Sequence, residues 1–502
     1  MNLHAVLSLL VFSPLVGIIV LAILPKSQEI AIKAVGFLAT LPPLALSLAV
    51  YAHYLAGKSL SDFSVSVPWI QFRGLQPDEP AYAVNYELAI SGFQLLLVVL
   101  TSVVSTLAAL GACRFIKKEW KGYFMLFLLL VTGMLGLFTA ENMVLFFIFF
   151  EVTLIPTFFL IGKWGYFEKE KAAFSFLIYN GFGSAVLLIV IMILLAKTGT
   201  TNIVMLKEII ADPSVGLSAD FKLGLFIALL IAFGVKLPIF PLHSWMLRVH
   251  VQAPPSVVMI HSGILLKIGA YGLIRFGMGI FPDQFKQLAV LLAILGVINL
   301  LYGAFLAFIQ TDFKMVLAYS SISHMGIVLM GLAAMNEAGI QGAIFQVVSH
   351  GLISALLFFL VGVLYERTET SLIGNLGGLA KGMPLTAGFL LAAAMASLGL
   401  PGMSGFVSEF MAFLGLFKVE PWIAAVGSIG IIMTAVYLLR AVLGMTFGKA
   451  FRDFDGVLDL RGLELVPVLV LMLLIVLIGV YPSVLSSPLQ ATLETIMLGL
   501  GG

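Results

Sequence analysis

The sequence predicts an all-α, polytopic membrane protein of about fourteen transmembrane helices. Two observations carry this. Of the 502 residues, 61% are hydrophobic and 10% charged, with a mean hydropathy of +1.13; a soluble domain carries about 25% charge. That little charge cannot coat a globule of this size, so the solvent must be lipid. A ruler of about 20 apolar residues per bilayer crossing also fits repeatedly along the chain.

Residues 3–23 form the first expected span. No Lys or Arg precedes its apolar run, so the charged leader of a cleavable signal is missing. The next spans are 34–56 and 86–111. The pairs 122–140/143–162 and 314–333/340–364 are each joined by a very short turn, which only a helical bundle accommodates. Between them lie 171–197, 221–242, 254–278 and 287–309. The series closes with 384–416, 421–446 and 463–485.

The composition also excludes several functions. A net charge of +2 with scattered cations argues against a nucleic-acid partner. The single cysteine, Cys113, supports no disulfide, Cys-based metal site or iron–sulfur cluster. No nucleotide-binding glycine pattern follows a predicted strand. His243 and His250, in PLHSWMLRVHVQAPP, lack the further ligands a zinc ion needs; they read as holding a loop at the cytoplasmic edge.

Lys and Arg in the connections set the orientation. With the loop after the first span cytoplasmic, about 17 cations fall on that side and 8 opposite, and both termini lie outside the cytoplasm. Lys314 counts among the cytoplasmic loop cations.

Two spans are interrupted. Span seven breaks in FGVKLPIFP, at Lys236, Pro238 and Pro241. Span twelve breaks in SLGLPGMSGFVSEF, at Pro401 and Gly402. Each is the fourth helix in a run of five, and an odd number of helices per unit inverts one copy relative to the other. Paired broken helices point to a transport site. The expected divisions are 1–121, then two inverted five-helix repeats at 122–280 and 281–450, then 451–502. The bland alternative is coincidence, because Pro and Gly are common in membrane helices.

Most charges fall in loops. Glu151, Lys236, Lys267 and Glu409 do not, and His261, His324 and His350 join them in apolar runs. A charge at mid-membrane costs roughly 2.5–3.5 kcal/mol on insertion scales, so it is a functional candidate by default. Glu151 is the expected partner of Lys236. Burial lowers a lysine's proton affinity and a nearby carboxylate raises it. A lysine balanced between the two can exchange a proton when its partner moves. Lys267, His324 and His350 would relay protons laterally to Glu409. The prolines free backbone carbonyls, and so describe a hydrated pocket around Lys236.

Plainer readings stand beside these. Glu151 and Lys236 as a static ion pair would fix helix packing. Lys267 would snorkel if its span is shifted. His261 reads as packing or cavity lining, along with Ser320 and Ser323. Glu141, in the turn TAENM, reads as solvated.

The stretch VKLPIFPLHSWMLRVHVQAPPSVVMIHSGILLKIGAYGLIRF resembles the signature of the antiporter-like subunits of respiratory complex I. LYGAFLAFIQTDFKMVLAYSSISHMGIVLMG, FQVVSHGLISALLFFLVGVLYER and LGLPGMSGFVSEF look like further blocks of that family, together covering most of residues 120–445. The resemblance implies fourteen helices in two inverted repeats. It implies Glu151 and Lys236 as the key pair, Lys267 as central relay and Glu409 toward the exit. Glu409 and the ending VLYERTET match one branch of the family, whereas sister branches typically carry lysine at the second break. Ser91, where many relatives have Asp, and Met246-Leu247-Arg248, where many have Leu-Pro-Asp, depart from the pattern.

The expected function is proton translocation within a NADH-quinone oxidoreductase in a bacterial plasma membrane. This chain would hold no cofactor. Quinone and NADH, or another donor, would bind to other subunits, and the neighbours would be two further antiporter-like subunits and membrane lipid. The alternatives are a subunit of an Mrp-type Na⁺/H⁺ antiporter or of a membrane-bound hydrogenase. A scaffold without proton flux is a third reading.

Overall fold

The computed structural model describes residues 3–72, 82–212, 216–449 and 456–501. Arg73 and Arg452, counted in the charge bias, lie outside them.

Among the described residues, twelve helices are long and apolar enough to cross a membrane: Leu3–Ile23, Glu29–Leu55, Gly92–Phe115, Trp120–Thr139, Met143–Trp164, Lys169–Thr198, Pro255–Met278, Ala289–Ile309, Phe313–Ala333, Glu337–Thr368, Pro421–Thr446 and Gly462–Val480. Two further expected spans are interrupted. One runs as Ala219–Lys236 and Ser244–Gln252, the other as Pro384–Ser397 and Ser404–Val419.

Local chemistry sets the helix starts. Ser91 and Gln94 form a reciprocal capping box. Asn142, Asp312 and Asn336 accept backbone N–H groups at their helix starts. Burial is uneven, as a bundle in lipid requires. An 18-residue stretch of Pro255–Met278 and one of Glu337–Thr368 are wholly buried, whereas most residues of the most apolar stretches of Glu29–Leu55 and Pro421–Thr446 are not buried.

Four features depart from expectation. The span at 86–111 begins only at Gly92. Before it, Val65–Phe72 and Tyr82–Leu88 pair as an antiparallel hairpin, because VSVPWIQF and YAVNYEL alternate on the period of a strand. Short helices Ile203–Ala211 and Ser483–Gly499 occupy segments expected to be loop or span end. Pro255–Met278 contains two π-helical stretches, His261–Leu265 and Leu273–Met278, and Lys267 follows the first. π-turns within α-helices gather at functional sites.

Ala289–Ile309 and Phe313–Ala333 meet backbone to backbone. A Cβ on Gly326 would stand 2.4 Å from Gly296 O and 2.6 Å from Leu300 N, so only glycine permits this approach. Ser323 Oγ adds a hydrogen bond to Leu300 O at 2.9 Å. Ser323 therefore ties two helices together.

Candidate functional site

A line of titratable side chains crosses the interior. Lys236, His250, His261, Lys267, His324, His350 and Glu409 are each 5% exposed or less.

The first break ends a helix on Lys236. Pro238 adopts φ +21°, and the Phe240–Pro241 bond is cis. Several carbonyls at the break are taken by protein donors. Trp245 Nε1 donates to Val235 O at 3.2 Å. Asn299, on the facing helix, donates to Pro238 O at 3.1 Å and accepts from Phe240 N at 2.7 Å. The sequence reading missed Asn299; its signal was a lone amide in the apolar run GVINLLYG.

Lys236 does not touch Glu151 directly. Its ammonium lies 4.7 Å from the Phe150 ring centroid and 5.5 Å from that of Phe176. Such cation–π contacts offset part of the desolvation of a buried cation. Glu151 acts on Lys236 through space, and its buried Oε1 has no hydrogen-bond partner. The pair is coupled by field and not by contact.

Phe176 stands between Lys236 and His261, whose ring is 6.0 Å away. His261 Nδ1 and His250 Nε2 are 3.0 Å apart, so one donates to the other. The expectation that His250 holds a loop at the cytoplasmic edge is therefore corrected. It is buried in the line, on the helix Ser244–Gln252 that follows the first break. His243 instead pairs with Tyr302 Oη at 3.1 Å. The outer nitrogens of the histidine pair, His250 Nδ1 and His261 Nε2, are buried without partners. These are the open ends of a short wire.

Lys267 follows a π-turn, and its Nζ donates to Ser262 O at 2.8 Å and meets His350 Nδ1 at 2.7 Å. Its burial excludes snorkelling. A charged Lys267 requires His350 Nδ1 to be the acceptor, which fixes a neutral His350 with its proton on Nε2. The His324 and His350 rings are 5.3 Å apart.

His324 sits between two carbonyls. Nδ1 is 2.7 Å from Ser320 O and Nε2 is 2.9 Å from Ser397 O. Carbonyl oxygens only accept, so both ring nitrogens must donate, and the ring is an imidazolium. Glu409 Oε1, 3.4 Å from Nε2, supplies the counter-charge. Ser397 is the last residue before the second break, so the break exposes the carbonyl that His324 uses. Gly399 (φ +81°) and Gly402 (φ +90°) turn the chain through the break, around Pro401. A Cβ on Gly399 would lie 2.7 Å from Glu409 Oε2.

Ser320 accepts from Tyr437 Oη at 2.8 Å and lines a cavity of about 10 Å³ that also touches His350, Ser321 and Ser354. A second cavity of about 10 Å³ lies between His324, His350 and Glu409. Each has about the room one water needs. Among the described residues no group of three or more His, Cys, Asp or Glu is placed to hold a metal ion.

Glu141 departs from expectation as well. It is largely buried and ion-paired with Arg275.

Comparison with known proteins gives a consistent result. The family model described as NADH:quinone oxidoreductase/Mrp antiporter, TM, matches residues 140–434. The chain is 38% identical to NAD(P)H-quinone oxidoreductase chain 4 2 of Thermosynechococcus vestitus, over 98% of this chain and 91% of that protein. It is 34% identical to NADH-quinone oxidoreductase subunit M of Rickettsia felis, over 98% and 99%. Among solved structures it resembles a chain of respiratory complex I from Thermus thermophilus with bound NADH, at TM-score 0.84 and 30% identity, covering 99% of this chain and 100% of that one. A chain of the Mrp complex from Dietzia sp. DQ12-45-1b shares the fold, at TM-score 0.82 and 23% identity, covering 99% of each.

Proposed function

The chain belongs to the NADH:quinone oxidoreductase/Mrp antiporter transmembrane family, and on that premise we propose a route for the protons it moves. It is an antiporter-like, proton-translocating membrane subunit of a NADH-quinone oxidoreductase, of the subunit M or chain 4 kind. It works within a multi-subunit membrane assembly.

The proposed route runs from Lys236 through His261 and His250 to Lys267, then through His350 and His324 to Glu409. The observation that carries it is the contact series Lys267–His350–His324–Glu409, with a 2.7 Å contact at its start and a 3.4 Å contact at its end. Its order follows from the hydrogen bonds. His324 holds two protons, so it gives one to Glu409 before it takes one from His350. His350 releases its Nε2 proton as Nδ1 takes one from Lys267, so it stays neutral throughout. Glu151 sets the field at Lys236, so a change in the position or charge of Glu151 loads or unloads that lysine. Phe176 separates the Lys236 end from the histidine pair, so transfer there needs a rearrangement or transient hydration.

The same reading assigns residues 122–280 and 281–450 to two inverted repeats, each with one break. NADH and quinone bind other subunits, and two antiporter-like subunits flank this one. The membrane is the bacterial plasma membrane, with both termini on the non-cytoplasmic side.

Lys236→Ala in the assembled complex tests the reading. The protons pumped per electron fall while quinone reduction persists. An unchanged ratio in an intact complex sinks it. Sodium-dependent pH changes in vesicles would instead favour the Mrp-type reading, against which Glu409 in place of lysine speaks.

A further inference from the structure

Lys314 stands where a cation is poorly placed. It is the second residue of Phe313–Ala333, beside the positive end of the helix dipole, and is 6% exposed. Sequence reading put it in a loop. The nearest acid along the chain, Asp312, is occupied: Oδ1 accepts the Lys314 backbone N–H at 2.8 Å, and Oδ2 accepts from Ser371 Oγ at 2.9 Å. The Lys314 ammonium lies instead between two aromatic faces, 4.0 Å from the Tyr166 ring centroid and 3.8 Å from that of Tyr365. The rings meet edge to face at 5.0 Å, and Tyr166 N donates to Gln252 O at 2.7 Å. Asp312 still acts through space on Lys314 and on Tyr365, with Glu369 adding less at Tyr365 and Glu366 acting on Tyr166; Glu366 is itself paired with Lys117 and Arg114.

Two cavities lie close to this clamp, one lined by its chain neighbours and one a helical turn away. Outside it, a cavity of about 180 Å³ is lined by Glu168, Lys171, Arg248, Gln252 and Met315. It therefore adjoins Lys314 through Met315 and Tyr166 through Gln252. Inside it, Leu317 is three residues on, about one helical turn, and lines the cavity of about 10 Å³ that reaches His350. Ser321, one further turn on, also lines that cavity. Its Oγ is 3.4 Å from Ser262 Oγ, and Ser262 O accepts from Lys267. One helix thus carries Met315 at the outer cavity, the buried Lys314, and Leu317 and Ser321 at the cavity beside the central relay.

We propose that Lys314, held between Tyr166 and Tyr365, is the protonatable gate through which the outer cavity supplies His350 and Lys267. This rests on the relay role given to those two residues. The ammonium releases a proton inward past Leu317, is neutral for that interval, and takes a replacement proton from the outer cavity. The tyrosine faces hold the side chain in place through both states.

The test uses the whole complex in vesicles, reading protons pumped per electron, with Lys267→Ala in parallel. Lys314→Arg keeps a cation over the rings but releases no proton; Lys314→Met keeps neither property. The gate requires both variants to assemble, reduce quinone and fall to the ratio of Lys267→Ala. A normal ratio in Lys314→Arg overturns the gate and leaves only a structural clamp. A normal ratio in Lys267→Ala overturns the relay, and the gate with it. If the Lys314 variants fail to assemble, the double variant Ser321→Ala with Ser354→Ala carries the test by removing two of the hydroxyls that line the inner cavity. It lowers the ratio if the gate is real, and a normal ratio overturns it.

Discussion

Asn299→Leu removes both hydrogen bonds that fix the first break from outside. The Phe240 N–H and the Pro238 carbonyl, held at 2.7 and 3.1 Å, lose their partner together. Leaving one buried polar group unsatisfied costs about 1–3 kcal/mol. The break therefore loses about 2–6 kcal/mol of local stability if neither group finds a substitute. For the Phe240 amide alone, 1–3 kcal/mol corresponds to roughly 5- to 150-fold faster opening, at tenfold per 1.4 kcal/mol. Hydrogen–deuterium exchange of the solubilised complex reads this directly. In the segment LPIFP, residues 237–241, the prolines carry no amide, so few exchanging sites confuse the signal. Asn299→Asp is the control, since it keeps the acceptor for Phe240 N and loses the donor to Pro238 O. Exchange in Asn299→Leu that matches the parent refutes the reasoning, because Asn299 would then not be what holds the break.

Three further outcomes are expected. Gly399→Ala places a methyl 2.7 Å from Glu409 Oε2 and forces an L residue to φ +81°, a strain of about 1–3 kcal/mol; proton pumping falls several-fold in an assembled complex, measured by dye quenching in vesicles. His250→Phe keeps the bulk beside Phe358 but breaks the contact with His261. Its protons per electron drop toward the value of Lys267→Ala, and an unaltered ratio removes His250 from the route. Lys207, on the short helix Ile203–Ala211, has its proton affinity lowered first by burial and then by Arg275, against a smaller opposing effect of Glu141. Its folded state binds its proton less tightly than the unfolded chain does, so stability rises with pH from the depressed folded value up to the usual 10.5. Thermal unfolding of Lys207→Met shows a weaker rise over that window.

Much of the fold was legible because a bilayer imposes a simple rule on the sequence. Twelve apolar windows became twelve helices, and the two prolines after Lys236 and the Leu400-Pro401-Gly402 step marked the interrupted ones. Glu151, Lys236, Lys267 and Glu409 were legible for the same reason, as charges that lipid does not tolerate. What escaped depends on which faces meet. His250 lies 11 residues before His261 across a Pro-Pro step, and no periodicity links them. Lys314 counted as a loop cation because its helix begins only one residue earlier. The π-turns beside Lys267 leave no composition signal, and the Val65–Leu88 hairpin was overlooked because the membrane ruler does not look for alternation.

The glycine contact between Ala289–Ile309 and Phe313–Ala333 has a mechanical meaning. Two rods touching at Gly296 and Gly326, with no side chains between them, have nothing to slide on and little to compress. One rod grips the first broken helix through Asn299, and the other carries His324, which grips the second through Ser397. Together they act as a crossbar with a hand on each hinge. A push that displaces the hinge beside Lys236 moves the bar as one piece and arrives at the hinge beside Glu409 with little lost on the way. Displacement can thus be passed along the membrane plane by the scaffold, in parallel with the charges that travel through it.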